Sequence, residues 1–351
     1  MNQAKKMKFT VDPATGCLSE QDAKRYFTVI GFGVFALMLV FYGGNLALSL
    51  LCWELLPSLA EHAVTTHLIS LASLYGMAFP VFYLIIRRLP RGIPSGEPMS
   101  GGRFFGGLAV AFFMMMAGNY VGQWLIAIFE AAMGRTQQNP VETTTSGVAW
   151  WINLIFVALI PCIMEELIFR KVLCDRLLPL GEGYAVVLSA SAFGLVHGNF
   201  FQFFYAFLVG VVLATVYVKT GKLWVTILYH GAINLLGGVV APWILERVSP
   251  IMTDANIEKI NGYLEAGNSA ALSEMLTPYM LPMMGLLAYE GIMMVGVIGG
   301  LVYFWKKGRK TRFQQGLLPV PRECRVSAVL LNVGTAAALT VFAGVFLLSL
   351  L

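Results

Sequence analysis

Charge is what this sequence has least of. Only 12% of its residues are Asp, Glu, Lys or Arg, where a soluble domain carries about 25%. Such a chain cannot clothe a water-exposed surface of its size, and a mean hydropathy of +0.73 points the same way. Cysteine is sparse too: Cys17, Cys52, Cys162, Cys174 and Cys324 are scattered, odd in number and without a CxxC pair. That excludes a disulfide framework and a zinc knuckle. There is no Gly-rich phosphate loop and no repeat of solenoid period. No cleavable signal is evident either, because the first apolar run begins after about 25 mostly polar residues and is too long for a signal-peptide core.

Present instead are long apolar runs, near 27–51, 66–86, 104–129, 150–168, 184–198, 201–219, 223–243, 281–305 and 326–351. Most can cross about 30 Å of hydrocarbon at 1.5 Å per helical residue. The run at 184–198 is short and carries Ser189, Ser191 and His197, so neighbouring helices are expected to shield it from lipid. The expected fold is all-α, a polytopic transmembrane helix bundle of about eight to nine spans.

Four parts are expected: N-terminal spans over 1–147, a core over 148–243, an external amphipathic loop over 244–280 and closing spans over 281–351. In the first part, Gly118 and Gly122 of "GNYVG" form a small-xxx-small face that lets helices approach closely.

The net charge of +5 follows topology rather than a nucleic-acid partner. Lys5, Lys6, Lys8, Lys24 and Arg25 precede the first run, and Arg87, Arg88, Arg91 and Arg103 follow the second. Arg170, Lys171 and Arg176 follow the fourth, Lys219 and Lys222 follow the sixth, and "KKGRKTR" with Arg322 and Arg325 lies between the eighth and ninth. The alternate loops are acidic or neutral, with five acids against two bases in 244–280. Basic loops stay in the cytoplasm, so the N-terminus is expected inside and, for nine spans, the C-terminus outside.

The chemistry-bearing residues interrupt apolar sequence. After "WWINLIFVALIPC" come Glu165, Glu166 and Arg170, and a charge near a bilayer centre costs about 2.5–3.5 kcal/mol on insertion scales. Glu166 and Arg170 stand four apart and can pair. Successive helical residues diverge by about 100°, so Glu165 is expected to point elsewhere, into a cavity. His197 ends the short run, and His230 and Asn234 stand four apart on one face of the next long helix but one.

Each feature has a plainer explanation: a charged helix end, a hydrogen-bonded core histidine, an interhelical hydrogen bond. Counted inward from the basic loops, Glu165 lies about 7 Å deep, His230 about 12 Å and His197 about 20 Å, so His197 stands apart unless its helix is short or broken near Gly198. Two imidazoles, a carboxylate and an amide in a protected cavity are the parts for activating water, with the imidazoles, the amide or a metal holding the oxyanion. His62 and His67 read as solvated residues of an external loop.

In this order, Glu165-Glu166-Leu-Ile-Phe-Arg170, Phe193-Gly-Leu-Val-His197 and His230-Gly-Ala-Ile-Asn234 resemble the three motifs of the CAAX protease and bacteriocin-processing family of intramembrane endopeptidases. That resemblance implies hydrolysis of a peptide bond in a membrane-embedded or membrane-associated protein or peptide. It implies Glu165 as general base assisted by His197, His230 and Asn234 as oxyanion donors, and Glu166 with Arg170 as a supporting pair. A zinc ion held by Glu165, His197 and His230 and a metal-free glutamate mechanism are both compatible with it. The short loops look bacterial, which places the chain in a bacterial cell membrane and argues against a prenylated substrate. The alternative is a non-proteolytic scaffold or a bacteriocin self-immunity protein. A transporter is disfavoured by the lack of an inverted repeat.

Overall fold

A computed structural model describes residues 7–350, so Lys5 and Lys6 lie outside the described residues. Among these, eight helical stretches are long and apolar enough to cross a membrane. They are α1 (Glu20–Leu55), α2 (Ala63–Ile86), α3 (Gly101–Met133), α4 (Trp150–Leu180), α6 (Phe200–Thr220), α7 (Leu223–Met252), α8 (Ser269–Lys310) and α9 (Val333–Leu350). The shorter α5 (Glu182–Val196) lies between α4 and α6. The protein is a multi-pass helical membrane protein.

Large apolar side chains such as Leu46, Leu287, Ile292 and Leu347 are exposed along the spans, as a lipid-facing surface requires. Exposed tryptophans mark the two ends, Trp150, Trp151 and Trp243 at one and Trp224 and Trp305 at the other, where amphipathic rings anchor at headgroup level.

One core cluster joins residues of α1, α2, α4, α5, α6 and α9. A second joins α3, α6, α7 and α8, so α6 is common to both. Gly118 gives α3 its closest approach to α6, since a Cβ there would collide with the backbone of Phe204 and Tyr205. At the basic end the buried Arg176 donates to the carbonyls of Ile86 and Val172, both at 2.8 Å. Glu182, also buried, accepts from Lys219 at 2.5 Å and from the Gln314 amide at 2.8 Å.

Three expected boundaries shift. Helix α4 continues past Arg170 to Leu180, because Arg170, Asp175 and Arg176 are all buried with partners rather than released to solvent. Helix α7 continues to Met252, leaving an amphipathic helix, Asp254–Glu265, and then α8. The last apolar run breaks at Leu331–Asn332, where the Asn332 side chain bonds the Ala328 and Val329 carbonyls and accepts from the Thr335 amide.

Four segments of the bundle widen into π-helical turns: Ala72–Ala78 in α2, Leu154–Leu159 and Leu167–Cys174 in α4, and Leu236–Val240 in α7. Such turns are rare and gather at functional sites. These four flank one place.

Candidate active site

Helices α4 and α5 form a hairpin about Gly181. Glu165 and His197 stand the same number of residues, sixteen, before and after it, about 24 Å along each arm. The pairing is visible at every level. Cys174 Sγ bonds the Ala185 carbonyl, Ser189 Oγ donates to the Phe169 carbonyl at 2.8 Å, and the Phe169 and Phe193 rings meet edge to face at 5.3 Å. The depth difference inferred from the basic residues therefore disappears, since those residues do not mark the membrane surface. Helix α5 does end early: the chain turns at Gly198, whose φ of 65° suits glycine, and α6 starts from an Asn199 cap accepting from the Gln202 amide at 2.9 Å.

At that depth α4, α5 and α7 converge. Glu166 is fully buried and lies 3.1 Å from Arg170 Nε. The arginine also donates to Ser189 Oγ at 3.2 Å and lies over the Phe193 ring at 4.9 Å. The ion pair is close but imperfectly aligned, because Glu166 Oε2 and Arg170 Nε and Nη2 lack a well-directed hydrogen bond.

The other Glu166 oxygen meets His230 Nδ1 at 3.2 Å, while His230 Nε2 faces Glu165 Oε2 at 3.8 Å. The two carboxylates, expected to diverge, thus flank one imidazole. Their Cα directions do differ, but His230 reaches in from α7 and spans the gap.

His197 is held in a similar way. Its Nδ1 lies 2.8 Å from the Phe193 carbonyl. A carbonyl only accepts, so a neutral His197 carries its proton on Nδ1 and keeps its lone pair on Nε2. His230 bonded through Nδ1 to a carboxylate has the same bias. Phe193 stands between the rings, edge to face with both, at 5.1 Å from His197 and 5.5 Å from His230. No hydrogen bond joins His197 to Glu165 among the described residues.

Asn234 is engaged elsewhere: its amide nitrogen donates to the Val157 carbonyl at 3.1 Å, inside the first π-helical segment of α4. The six candidate residues therefore separate into two sets. Glu165, Glu166, Arg170 and His230 form one connected cluster, while His197 and Asn234 border it on backbone anchors.

The donor set for a metal is chemically apt, with a carboxylate and two imidazole Nε2 atoms. Among the described residues, however, no three His, Cys, Asp or Glu side chains stand together as a group that could hold an ion. The expected ligands Glu165, His197 and His230 do not fit a metal as they are placed.

Several contacts have no sequence signature. Tyr75 of α2 donates to Glu165 Oε1 at 3.3 Å. Ser189 supports Arg170, and Thr226, one turn before His230, also faces Glu166. The i, i+4 spacing of Thr226 and His230 is the one hint available beforehand. His67 also departs from expectation. It is buried, stacked on Phe156 of α4 at 5.6 Å, whereas His62 is exposed as anticipated.

Residues 147–236 match the model of a family described as type II CAAX prenyl endopeptidase Rce1-like. This segment is Rce1-like. It holds all six candidate residues, and the match agrees with the resemblance read from the three motifs. The Rce1-like segment runs from just before α4 to the start of the π-helical turn in α7, so it covers the three helices that converge on Glu165. Tyr75 lies outside it. No curated protein and no solved structure matches the chain.

Proposed function

We propose that this protein is an intramembrane endopeptidase that hydrolyses a peptide bond in a membrane-associated protein or peptide. The observation that carries the reading is the pair of imidazoles anchored through Nδ1, beside a carboxylate with no Lys or Arg partner among the described residues.

Glu165 takes a proton from water as the water oxygen bonds to the scissile carbonyl carbon. His197, with its Nε2 lone pair free, orients that water. His230 faces Glu165 Oε2 and receives the proton on Nε2, becoming an imidazolium held by Glu166. Glu166 is then more than a partner for Arg170: it fixes the His230 tautomer and stabilises its charged form, as the acid of a catalytic triad does.

His230 has its Nδ1–H committed to Glu166, so it binds the oxyanion through Nε2–H once protonated. Asn234 contributes the amide hydrogen that Val157 does not use. Collapse of the tetrahedral species breaks the C–N bond, and the proton passes from His230 to the departing amine. No step is routed through a metal.

Access is from the basic end. His230 lies about 9 Å from the level of Trp224 and about 20 Å from that of Trp243 at 1.5 Å per residue. With the basic loops in the cytoplasm and the N-terminus inside, the site opens toward the cytoplasmic half of the bilayer, which we take to be a bacterial cell membrane.

The test is cleavage of a set of lipid-anchored and transmembrane fluorogenic peptides by purified protein in liposomes. Glu165→Gln is expected to lower turnover by about 100- to 10,000-fold, the usual worth of a general base, with the protein folded. Near-normal turnover in that variant would remove Glu165 from the role, and a wild-type chain that cleaves none of the peptides would favour a scaffold.

A further inference from the structure

We propose that Tyr75, on a helix outside the Rce1-like segment, is the residue that positions the general base. The proposal rests on Glu165 acting as that base.

The hydroxyl of Tyr75 donates to Glu165 Oε1 at 3.3 Å, while the other carboxylate oxygen faces His230 Nε2 at 3.8 Å. The two oxygens are thereby distinguished. Oε1 is tied to α2, and Oε2 is left toward the imidazole for proton transfer. A free carboxylate rotates about its last bond; one held at Oε1 presents Oε2 in a single direction. At 3.3 Å the bond is long for a hydroxyl and a carboxylate, as catalytic hydrogen bonds often are before substrate tightens them.

A plainer account would have Tyr75 merely satisfying a buried hydroxyl. Other tyrosines in this bundle do that with a main-chain carbonyl: Tyr26 on Arg176, Tyr42 on Val196 and Tyr229 on Phe104. Tyr217 does bond a carboxylate, that of Asp175, but Asp175 is also paired with Lys171 at 3.1 Å. Among the described residues, Tyr75 is bonded to an acid with no Lys or Arg partner.

The backbone at Tyr75 is also adapted. Helices α2 and α4 run the same way and touch at two levels, His67 on Phe156 and Tyr75 on Glu165. Eight residues separate the levels on α2 and nine on α4. Each helix carries a π-helical segment that overlaps part of that interval, Ala72–Ala78 and Leu154–Leu159. Wide turns change the residue count between levels, and here they bring the hydroxyl to the carboxylate.

The experiment combines Tyr75→Phe, Tyr75→Gln, Glu165→Gln and the double variant Tyr75→Phe/Glu165→Gln in the full chain. Kinetics use the lipid-anchored fluorogenic peptide that the wild type cleaves fastest. Tyr75→Phe is expected to lower kcat at least tenfold with KM unchanged, because substrate contacts are not touched. Tyr75→Gln, which restores a donor, is expected to recover part of that loss and also serves if the Phe variant does not fold. In the Glu165→Gln background, Tyr75→Phe is expected to change the residual rate less than twofold. Unfolding midpoints of the four proteins supply a cycle that needs no activity, and the two sites are expected to be non-additive.

Wild-type kcat in Tyr75→Phe, with Glu165→Gln inactive, overturns the proposal and leaves the protease reading standing. A loss confined to KM, no better rate in Gln than in Phe, or additive midpoints would also overturn it. Activity retained in Glu165→Gln removes Glu165 from the general-base role on which this proposal rests, and a wild-type chain that cleaves no peptide overturns the protease reading itself.

Discussion

Arg170 and Glu166 are both fully buried, 3.1 Å apart and four residues apart on one helix, so removal of one strands the other. In Arg170→Ala the Glu166 carboxylate keeps His230 and Thr226 as hydrogen-bonding neighbours among the described residues. The guanidinium's contacts with Ser189 Oγ and the Phe193 ring disappear as well. Breaking a buried pair from one side costs about 3–5 kcal/mol, and an apolar replacement of both members is often neutral. The present pair lacks ideal alignment at Nε, Nη2 and Oε2, so its own net worth is small and the penalty of a lone charge dominates.

The expected outcome is a loss of about 3–5 kcal/mol for Arg170→Ala and less than about 2 kcal/mol for Glu166→Gln/Arg170→Met. Reversible unfolding in mixed micelles, followed by circular dichroism, measures both. Activity responds differently from stability: the double variant folds but loses the acid that holds His230, so its turnover stays low. Additive losses around the Glu166/Arg170 cycle would refute the pairing, and full turnover in the folded double variant would refute the role given to Glu166.

Two further outcomes follow from single contacts. Asn234→Leu leaves the Val157 carbonyl without its side-chain donor, so stability is expected to drop by about 1–3 kcal/mol together with turnover. Lost turnover at unchanged stability would limit Asn234 to the oxyanion. For orientation, Arg312→Cys and Asn268→Cys place thiols at exposed positions on opposite ends. In a background without Cys17 and Cys52, an impermeant maleimide is expected to reach the first only from the cytoplasm and the second only from outside. Labelling of both from one side would refute the topology. Asp175, buried against Tyr217 and Lys171, is unsuited to such a probe.

The spans were readable from the sequence because lipid imposes one rule along the whole chain, and apolar length obeys it. The three motifs were readable because charge and imidazole interrupt that rule. Depth was not, for a physical reason: Arg170, Asp175 and Arg176 look like a membrane boundary, yet all three are buried, Arg170 paired with Glu166 and Asp175 with Lys171 on α4 itself, and each is also hydrogen-bonded to another helix, at Ser189, Tyr217 and the Ile86 carbonyl. The pairs within α4 follow from i, i+4 spacing, but nothing local to α4 reveals the partners on the other helices. The convergence of both carboxylates on His230 depends on how α7 approaches α4, which a helical wheel of α4 alone cannot contain. Tyr75 and His67 lie in ordinary apolar sequence, and only the register of α2 against α4 makes one a partner of Glu165 and buries the other against Phe156.

The shallow placement of His230 below the turn at Gly221 makes the bundle a ruler. The two stand nine positions apart in the chain, about 13 Å at 1.5 Å each. A polypeptide in extended form covers that distance with about four residues at roughly 3.3 Å each, whereas a substrate that stayed helical would need about nine. On the proposed endopeptidase reading, the bond cut is chosen by how many residues beyond the headgroups a tail can thread, and an unwound end arrives where a rigid helix of the same few residues falls short.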